Sequence, residues 1–343
     1  MILILTTIAT TFIGLPLCIV SSIIAKLSYF ITGKKQIDTS RQSFFNEIRE
    51  YIKLSNNVFT SKWVLNGSVH VLCRYSTIFS DRPPIFIIPG SSPNYMEFMK
   101  SIPKIYDVYC IDLPGWGISD TPTFTVNLHE YYSKIILKTM TEIHPFENSK
   151  FILIGHSFGS FLLSHAITSG IIPSSKISKC IFSALPGLSQ NVSRYSYLWG
   201  LVIRSGIIES IFKQWWSPHL FSAFLYPRPT SIEKINLIQR FLPGINEYKL
   251  DGAHIELLLL TKERRRALLF ASTRVPITLV CGYNDTIVDY KYVKDFSEES
   301  DGLIKFVGLN CGHFPFKQST MFSQLKMCIY YDNILKSIKK SSN

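Results

Sequence analysis

Short apolar runs and helical patterns alternate along the chain from about residue 60 onward. Five of the runs are apolar at almost every position, and they cover residues 85–88, 108–111, 151–154, 180–182 and 277–280. Such runs are typical of strands in a parallel sheet that is covered on both faces. Between them lie helical patterns, such as the apolar positions Leu128, Tyr131 and Ile135 within residues 126–143. The alternation predicts an α/β protein with a mostly parallel central sheet flanked by helices.

A β-hairpin precedes these elements. Residues 63–65 and 69–73 are mostly apolar, and Asn66-Gly67 lies between them. Asn-Gly is a strong hairpin signal because both residues tolerate the positive φ angles of a tight turn. We therefore expect two antiparallel strands at the start of the folded domain.

The alternation of strand and helix patterns is interrupted between residues 187 and 271. This segment is rich in Trp, Tyr and Phe, and four prolines divide it into short helical pieces. We interpret it as a helical cap inserted into an α/β core that consists of residues 60–186 and 272–338. Residues 26–59 are expected to form a linker or stem, and residues 339–343 a short tail.

The N-terminal segment has the length and composition of a membrane span. Residues 1–25 carry no charged side chain, and the first charge is Lys26. A helix of that length extends roughly 37 Å, which exceeds the hydrocarbon core of a bilayer, about 30 Å thick. A cleaved signal peptide is the alternative, but no Lys or Arg precedes this run and the run is too long. We therefore predict a retained transmembrane helix at residues 1–25.

The charges that follow this span predict its orientation. Four positive residues follow it and none precedes it; they are Lys26, Lys34, Lys35 and Arg41. Positive residues stay preferentially on the cytosolic side of a membrane. The sequence thus predicts a single-pass membrane protein whose folded domain lies in the cytosol.

Composition and charge narrow the classes of partner. Apolar residues make up 46% and charged residues 17% of the chain, which excludes a disordered protein, a collagen and a coiled coil. The net charge of +12 fits nucleic acid or an anionic membrane. The only tight basic run, residues 263–266, is interpreted as a solvated helix face, and three lysines at 336, 339 and 340 are available to an anionic membrane surface. We expect a membrane partner and no nucleic acid.

Cysteine usage argues against a metal site and against a disulfide scaffold. The seven cysteines are an odd number, without a CxxC pair and without the Cys/His spacing of a zinc site. We therefore expect neither a metal nor a cofactor.

One serine motif carries a specific chemistry. Gly155-His156-Ser157-Phe158-Gly159 directly follows the apolar run 151–154 and precedes a helical pattern at 160–166. A serine with glycine two positions away on each side, at a sharp turn from strand to helix, is the arrangement of a nucleophile elbow, which exposes the hydroxyl above the sheet. Ser157 is therefore the predicted nucleophile, and His156 and His165 are expected to pack locally.

A serine nucleophile needs a base and an orienting carboxylate. Asp285 follows the apolar strand pattern 277–281, and His313 follows the next strand pattern at 303–307. The order Ser, Asp, His, with each residue at the end of a strand, predicts a catalytic triad of Ser157, Asp285 and His313. Asp289 is the alternative acid, and Cys311 is interpreted as a bystander.

An oxyanion hole should accompany the triad. One donor is expected to be the backbone N–H of Phe158, directly after the nucleophile. The second should come from the loop 89–93, where Ser91 is the predicted donor and Ser92 a weaker option.

At these residues the chain resembles the α/β-hydrolase fold family. The resemblance covers about residues 60–338 outside the cap, and it includes segment 112–119, Asp-Leu-Pro-Gly-Trp-Gly-Ile-Ser, which is similar to the family's loop after the fourth strand. It is strongest with capped abhydrolase lipases and esterases. One departure is Pro89-Gly90, where many members have His-Gly. Epoxide hydrolases and dehalogenases of the family use an aspartate nucleophile, whereas position 157 is serine.

The resemblance and the motifs together imply a membrane-anchored serine hydrolase. It would cleave carboxylic esters through an acyl-enzyme intermediate. The predicted anchor and the aromatic cap favour lipid acyl esters over small soluble esters, although aromatic stripes more often pack in a core. The alternative is a catalytically silent α/β-hydrolase fold that acts as a scaffold or lipid-binding protein.

Overall fold

The computed structural model describes residues 46, 59–77, 82–90, 99, 102–114, 119, 128–144, 150–188, 261–285 and 287–313. The predicted membrane span 1–25, most of the predicted cap, Ser91, Ser92 and the predicted tail lie outside these residues. Within the described ranges, no helix is both long and apolar enough to cross a bilayer.

One eight-stranded sheet organises the fold. Its strands are β1 (Phe59–Val64), β2 (Val69–Arg74), β3 (Ile85–Ile88), β4 (Val108–Ile111), β5 (Phe151–His156), β6 (Ile177–Ser183), β7 (Ile277–Gly282) and β8 (Ile304–Leu309). They lie in the order β1-β2-β4-β3-β5-β6-β7-β8. β2 is antiparallel to β1 and to β4, and all other neighbours are parallel. The predicted α/β fold with a mostly parallel sheet is confirmed.

The predicted hairpin is also confirmed. β1 and β2 pair in a register that sets Val64 opposite Val69, and the turn between them contains Leu65, Asn66 and Gly67 with φ angles of 52°, 59° and 82°. Glycine and asparagine adopt this left-handed conformation at low cost. The turn therefore fixes which residues of β1 and β2 face each other.

Four helices of the described chain pack against the sheet. They are α1 (Leu128–Ile143), α2 (Phe158–Thr168), α3 (Thr261–Ser272) and α4 (Tyr290–Glu299), and a short 3₁₀ helix spans Ser174–Lys176. Side chains of β5 alternate between two apolar clusters, with Phe151 and Leu153 in the cluster on the helices and Ile152 and Ile154 in the other. Because both faces of the central strands are covered, these strands are apolar at nearly every position.

The basic run at 263–266 is a solvated helix face at Glu263 and Arg266 but not at Arg264 and Arg265. Arg265 on α3 is buried, donates a hydrogen bond to the carbonyl of Leu188 at 2.8 Å, and forms an ion pair with Glu299. The guanidinium of Arg264 lies 4.1 Å from the centre of the Phe161 ring, and burial lowers the pKa of Arg264 to about 10. Guanidinium groups are buried where they pair or stack, so the sequence interpretation was wrong for these two residues.

The last part of the predicted cap segment packs on the core. Leu268 and Ala271 of α3 belong to the same apolar cluster as the central strands. The division between cap and core at residues 271 and 272 stays a prediction.

Replacing Arg265 with Ala should lower the free energy of unfolding by about 1–3 kcal/mol, because the Leu188 carbonyl and the Glu299 carboxylate lose their donor. Arg266→Ala is the matched control, since Arg266 is exposed on the same helix, and it should change stability by less than about 0.5 kcal/mol. Urea unfolding of the full chain, followed by tryptophan fluorescence, measures both. Equal losses in the two variants would contradict the buried role of Arg265.

Candidate active site

Ser157 lies at a strained turn between a central strand and a helix. β5 ends at His156 and α2 begins at Phe158, and Ser157 between them has φ 50° and ψ −120°. This left-handed backbone is rare for a residue with a side chain and persists only where the surroundings hold it. Here the N–H of Ser157 donates to the Ser183 carbonyl at 2.8 Å, and the Ser157 carbonyl accepts from the N–H of Phe161 at 3.1 Å.

Close packing explains the two glycines that flank the serine. A Cβ atom at Gly159 would lie 2.2 Å from the carbonyl oxygen of Ile88 and 2.4 Å from that of Pro89. A Cβ at Gly155 would lie 2.5 Å from the Cα of Ser160. These distances are far below van der Waals contact. Glycine at 159 therefore lets the turn sit against the end of β3, and glycine at 155 lets the first turn of α2 approach β5.

The structure brings together the three residues of the predicted triad. The Ser157 hydroxyl and Nε2 of His313 lie 2.9 Å apart. Nδ1 of His313 lies 2.9 Å from Oδ2 and 3.1 Å from Oδ1 of Asp285. Since a carboxylate only accepts hydrogen bonds, Nδ1 carries the proton, and Nε2 is left to accept the serine hydroxyl. The imidazole thus has the tautomer that a general base requires.

Burial and backbone contacts hold the acid and the base in this geometry. The side chains of His313 and Asp285 are 3% and 0% exposed. Oδ1 of Asp285 also accepts the backbone N–H groups of Ile287 at 2.8 Å and Val288 at 2.9 Å. The carboxylate is therefore oriented independently of the histidine that it orients.

Asp289, the alternative catalytic acid, caps a helix and does not contact His313. It is the N-cap of α4, where its carboxylate accepts the backbone N–H of Lys291 at 3.0 Å. Aspartate is a common N-cap because its side chain satisfies a helix N–H group that has no partner within the helix. Asp285, and not Asp289, contacts the histidine.

Of the two predicted oxyanion donors, Phe158 lies within the described residues, and so does Gly90, the residue before the other donor. Phe158 is the first residue of α2, so its N–H belongs to the helix terminus with positive partial charge. Gly90 approaches from the loop after β3, since a Cβ there would lie 2.9 Å from the Cβ of Ser157. Ser91 follows Gly90 outside the described residues, and its role, like that of Ser92, stays a prediction.

His156 packs beneath the site, as expected. It is 4% exposed, its Nδ1 lies 3.2 Å from the Ser183 hydroxyl, and its ring centre lies 5.2 Å from that of His313. Burial, with a smaller effect of His313, holds the pKa of His156 well below its usual value. A neutral imidazole at this position leaves His313 free to become positively charged during a reaction.

Cys311, two residues before the histidine, is chemically quiet. Burial, and to a lesser degree the negative charge of Asp285, raises the pKa of its thiol to about 12. A thiol with this pKa stays protonated at neutral pH. Because only the thiolate is a strong nucleophile, Cys311 is unreactive.

A buried network that the sequence did not reveal holds residues 112–114 and Ser119, the described parts of the segment 112–119. Nδ1 of His70 lies 2.8 Å from Oδ2 of Asp112, and the Ser119 hydroxyl donates to the Asp112 carbonyl at 2.6 Å. The Tyr132 hydroxyl donates to the Pro114 carbonyl at 3.0 Å, and the Tyr132 ring contacts that of Phe158. The only sequence signal for this network was Asp112, an aspartate at the end of a predicted strand. His70 gave none, because a polar residue is common in a hairpin strand.

The fold and these contacts define an α/β protein with a hydrogen-bonded Ser-His-Asp set at the carboxyl ends of its parallel strands. The chain belongs to the alpha/beta hydrolase family, because a model of that family's sequences matches residues 85–322. The recognised resemblance is thereby confirmed.

Solved structures with the same fold include hydrolases of different chemistry. A membrane phospholipase A, described as a novel bacterial virulence factor, matches with a TM-score of 0.60 and 15% identity over 94% of this chain and 99% of that chain. An esterase from a Rhodococcus species gives 0.55 and 15% over 79% and 98%. A haloalkane dehalogenase from Bradyrhizobium elkani gives 0.58 and 14% over 81% and 99%. These identities show a shared fold, so the chemistry must be argued from the site itself.

The depressed pKa of His156 predicts an acid-sensitive fold. Below its ordinary value of 6.5 the unfolded chain binds a proton at this histidine that the folded chain does not bind. Stability should therefore fall as the pH decreases below that value, by up to about 1.4 kcal/mol per pH unit from this group. His156→Asn should flatten the dependence of Tm on pH between about pH 5 and 7. An unchanged slope, in thermal unfolding of both proteins, would show that His156 is not responsible.

Proposed function

We propose that the protein is a serine hydrolase of carboxylic esters, with Ser157 as nucleophile, His313 as general base and acid, and Asp285 as orienting carboxylate. The observation that carries this proposal is the 2.9 Å contact between the Ser157 hydroxyl and Nε2 of a histidine whose other nitrogen faces a carboxylate. A nucleophile, a base and an orienting group in hydrogen-bond reach are the signature of an activated serine.

The reaction would proceed in two halves. Ser157 attacks the ester carbonyl while its proton passes to Nε2 of His313, and His313 then donates that proton to the leaving alcohol. Water, deprotonated by the same nitrogen, attacks the acyl-enzyme and releases the acid. The N–H of Phe158 and a second N–H, from Ser91, would stabilise the oxyanion in both halves.

Pre-organisation supports a catalytic use of this geometry. The serine, the carboxylate and the packing beneath the imidazole are each held by contacts outside the triad, through Ser183, Ile287 and His156 respectively. A group that is already oriented needs no reorganisation when charge develops, which is the main source of electrostatic catalysis.

We further propose that the substrate is a lipid acyl ester and that the enzyme acts at a membrane. The uncharged residues 1–25 and the positive residues after them support a single-pass anchor with the catalytic domain in the cytosol. The aromatic cap segment supports an apolar acyl pocket. A phospholipase among the proteins of the same fold is consistent with this substrate class. The net charge of +12 then serves attraction to anionic lipid, and nucleic acid is not a partner.

A fluorophosphonate probe tests whether Ser157 is the nucleophile. The full chain in detergent should be labelled on the peptide that contains Ser157, and Ser157→Ala should lower hydrolysis of a p-nitrophenyl ester by about 10⁴-fold or more. Lipid profiling of membranes incubated with both proteins then tests the substrate class. Hydrolysis of the soluble ester with an unchanged lipid ester pool would remove the lipase proposal, and absence of both activities would favour the silent scaffold.

Two aspartates separate the roles of acid and helix cap. Asp285→Asn should lower kcat by about 10⁴-fold, because an amide leaves the imidazole in the wrong tautomer. Asp289→Asn is the matched control, since asparagine is an equally good N-cap and the side chain does not contact His313. Its kcat should stay within about twofold of the parent. Comparable losses in the two variants would contradict the assignment of Asp285.

A further inference from the structure

A second Ser-His-Asp set lies on the antiparallel side of the sheet. The hydroxyl of Ser61, on β1, lies 2.6 Å from Nε2 of His70, on β2. Nδ1 of the same histidine lies 2.8 Å from Oδ2 of Asp112, directly after β4. The three groups are therefore connected as in the first set, with the histidine between the serine hydroxyl and the carboxylate and both contacts within hydrogen-bond distance.

The hydrogen bonds assign the same proton positions as in the first set. The carboxylate of Asp112 accepts, so Nδ1 of His70 carries the proton and Nε2 presents its lone pair to the Ser61 hydroxyl, which donates. A hydroxyl that donates to a correctly oriented imidazole is a serine with its general base already in place.

Backbone contacts hold this base as firmly as the first one. His70 and Asp112 are 0% and 1% exposed. The N–H of His70 donates to the Ser119 hydroxyl at 2.8 Å, and the N–H of Asp112 donates to the His70 carbonyl at 3.0 Å. These bonds hold the backbone of His70, and the Asp112 carboxylate orients its imidazole, whereas Ser61 itself is exposed to solvent.

The surface beside Ser61 is apolar on one side. Trp63 lies two residues further along β1, on the same face of the strand. It is 42% exposed, and the centre of its ring lies 5.4 Å from that of His70. The apolar tail of an electrophile can pack against this indole while its electrophilic atom lies within reach of the Ser61 hydroxyl.

We propose that Ser61 is a second nucleophilic serine, which accepts an acyl or phosphonyl group from activated electrophiles with an apolar tail. With a fluorophosphonate, the Ser61 oxygen forms a bond to phosphorus, the P–F bond breaks and fluoride leaves. The serine proton passes to Nε2 of His70 and from there to solvent. With an activated ester, the acyl group is transferred to Ser61 and the alcohol leaves by the same route.

Ser61 should stop at the covalent adduct. It lies within an edge strand and is followed by strand residues, whereas α2 begins directly after Ser157, so within the described part of the chain no helix begins next to Ser61. An oxyanion donor contributes on the order of 10²–10³-fold to rate. Ser61 is therefore a site of slow, stable modification, while turnover depends on Ser157.

The test uses the full-length Ser157→Ala protein in detergent with an alkyl fluorophosphonate, and mass spectrometry of the peptides over time. Ser169 is the internal comparison, because it is exposed and its hydroxyl donates to the His165 carbonyl instead of a base. Adduct formation at Ser61 should be on the order of 10²-fold faster than at Ser169. Equal rates would overturn the proposal, whatever the outcome at Ser157.

A second measurement leaves the buried partners intact. Ser61→Cys places a thiol beside Nε2 of His70, and Ser169→Cys places one on a comparable surface without an imidazole partner. An adjacent histidine lowers the pKa of a thiol. Alkylation by iodoacetamide at about pH 6.5 should therefore be at least about tenfold faster in the first variant. Equal alkylation of the two thiols would show that His70 does not act as a base toward position 61.

Discussion

The left-handed backbone of Ser157 is the constraint on which the site depends. A residue with a side chain in this region costs about 1–3 kcal/mol, and the surrounding fold has to offset that cost. The Ser183 carbonyl does so by accepting both the Ser157 N–H at 2.8 Å and the Ser160 hydroxyl at 2.9 Å. The absence of a side chain at Gly159 lets the turn pack on the end of β3. Hydrogen bonds to β6 and close packing against the end of β3 therefore hold the serine in this conformation.

The parallel arrangement of the strands then brings His313 and Asp285 next to the serine. Every parallel strand of the sheet ends at the same edge, so residues far apart in the sequence emerge side by side. Asp285 follows β7, His313 follows β8, and Ser157 follows β5. Their distances of 2.9 Å result from this topology, with local hydrogen bonds to Asp285 adding the final orientation.

The sequence predicted those features that leave a local signal. Apolar runs identified the strands because central strands are covered on both faces, and the positions after them held the elbow and its two predicted partners. The choice between Asp285 and Asp289 needed the structure, since both follow the same strand and only hydrogen bonds separate a carboxylate beside His313 from a helix cap. Arg265 and His70 were missed for a related reason. Their partners, Leu188, Glu299 and Asp112, lie 77, 34 and 42 residues away, and a short window of sequence contains no trace of them.

The interruption of the sheet has a consequence for biosynthesis. β6 ends at Ser183, and its next neighbour, β7, begins only at Ile277, a separation of 94 residues (277 minus 183). At about 5–20 residues per second, a ribosome needs roughly 5–19 s to deliver β7. Throughout that interval the flank of β6 that later pairs with β7 is an unfinished edge, which is the kind of surface that chaperones shield from aggregation. His313 follows β8 and arrives later still, so the nascent chain holds its serine without a base until β8 and the residues directly after it have been made.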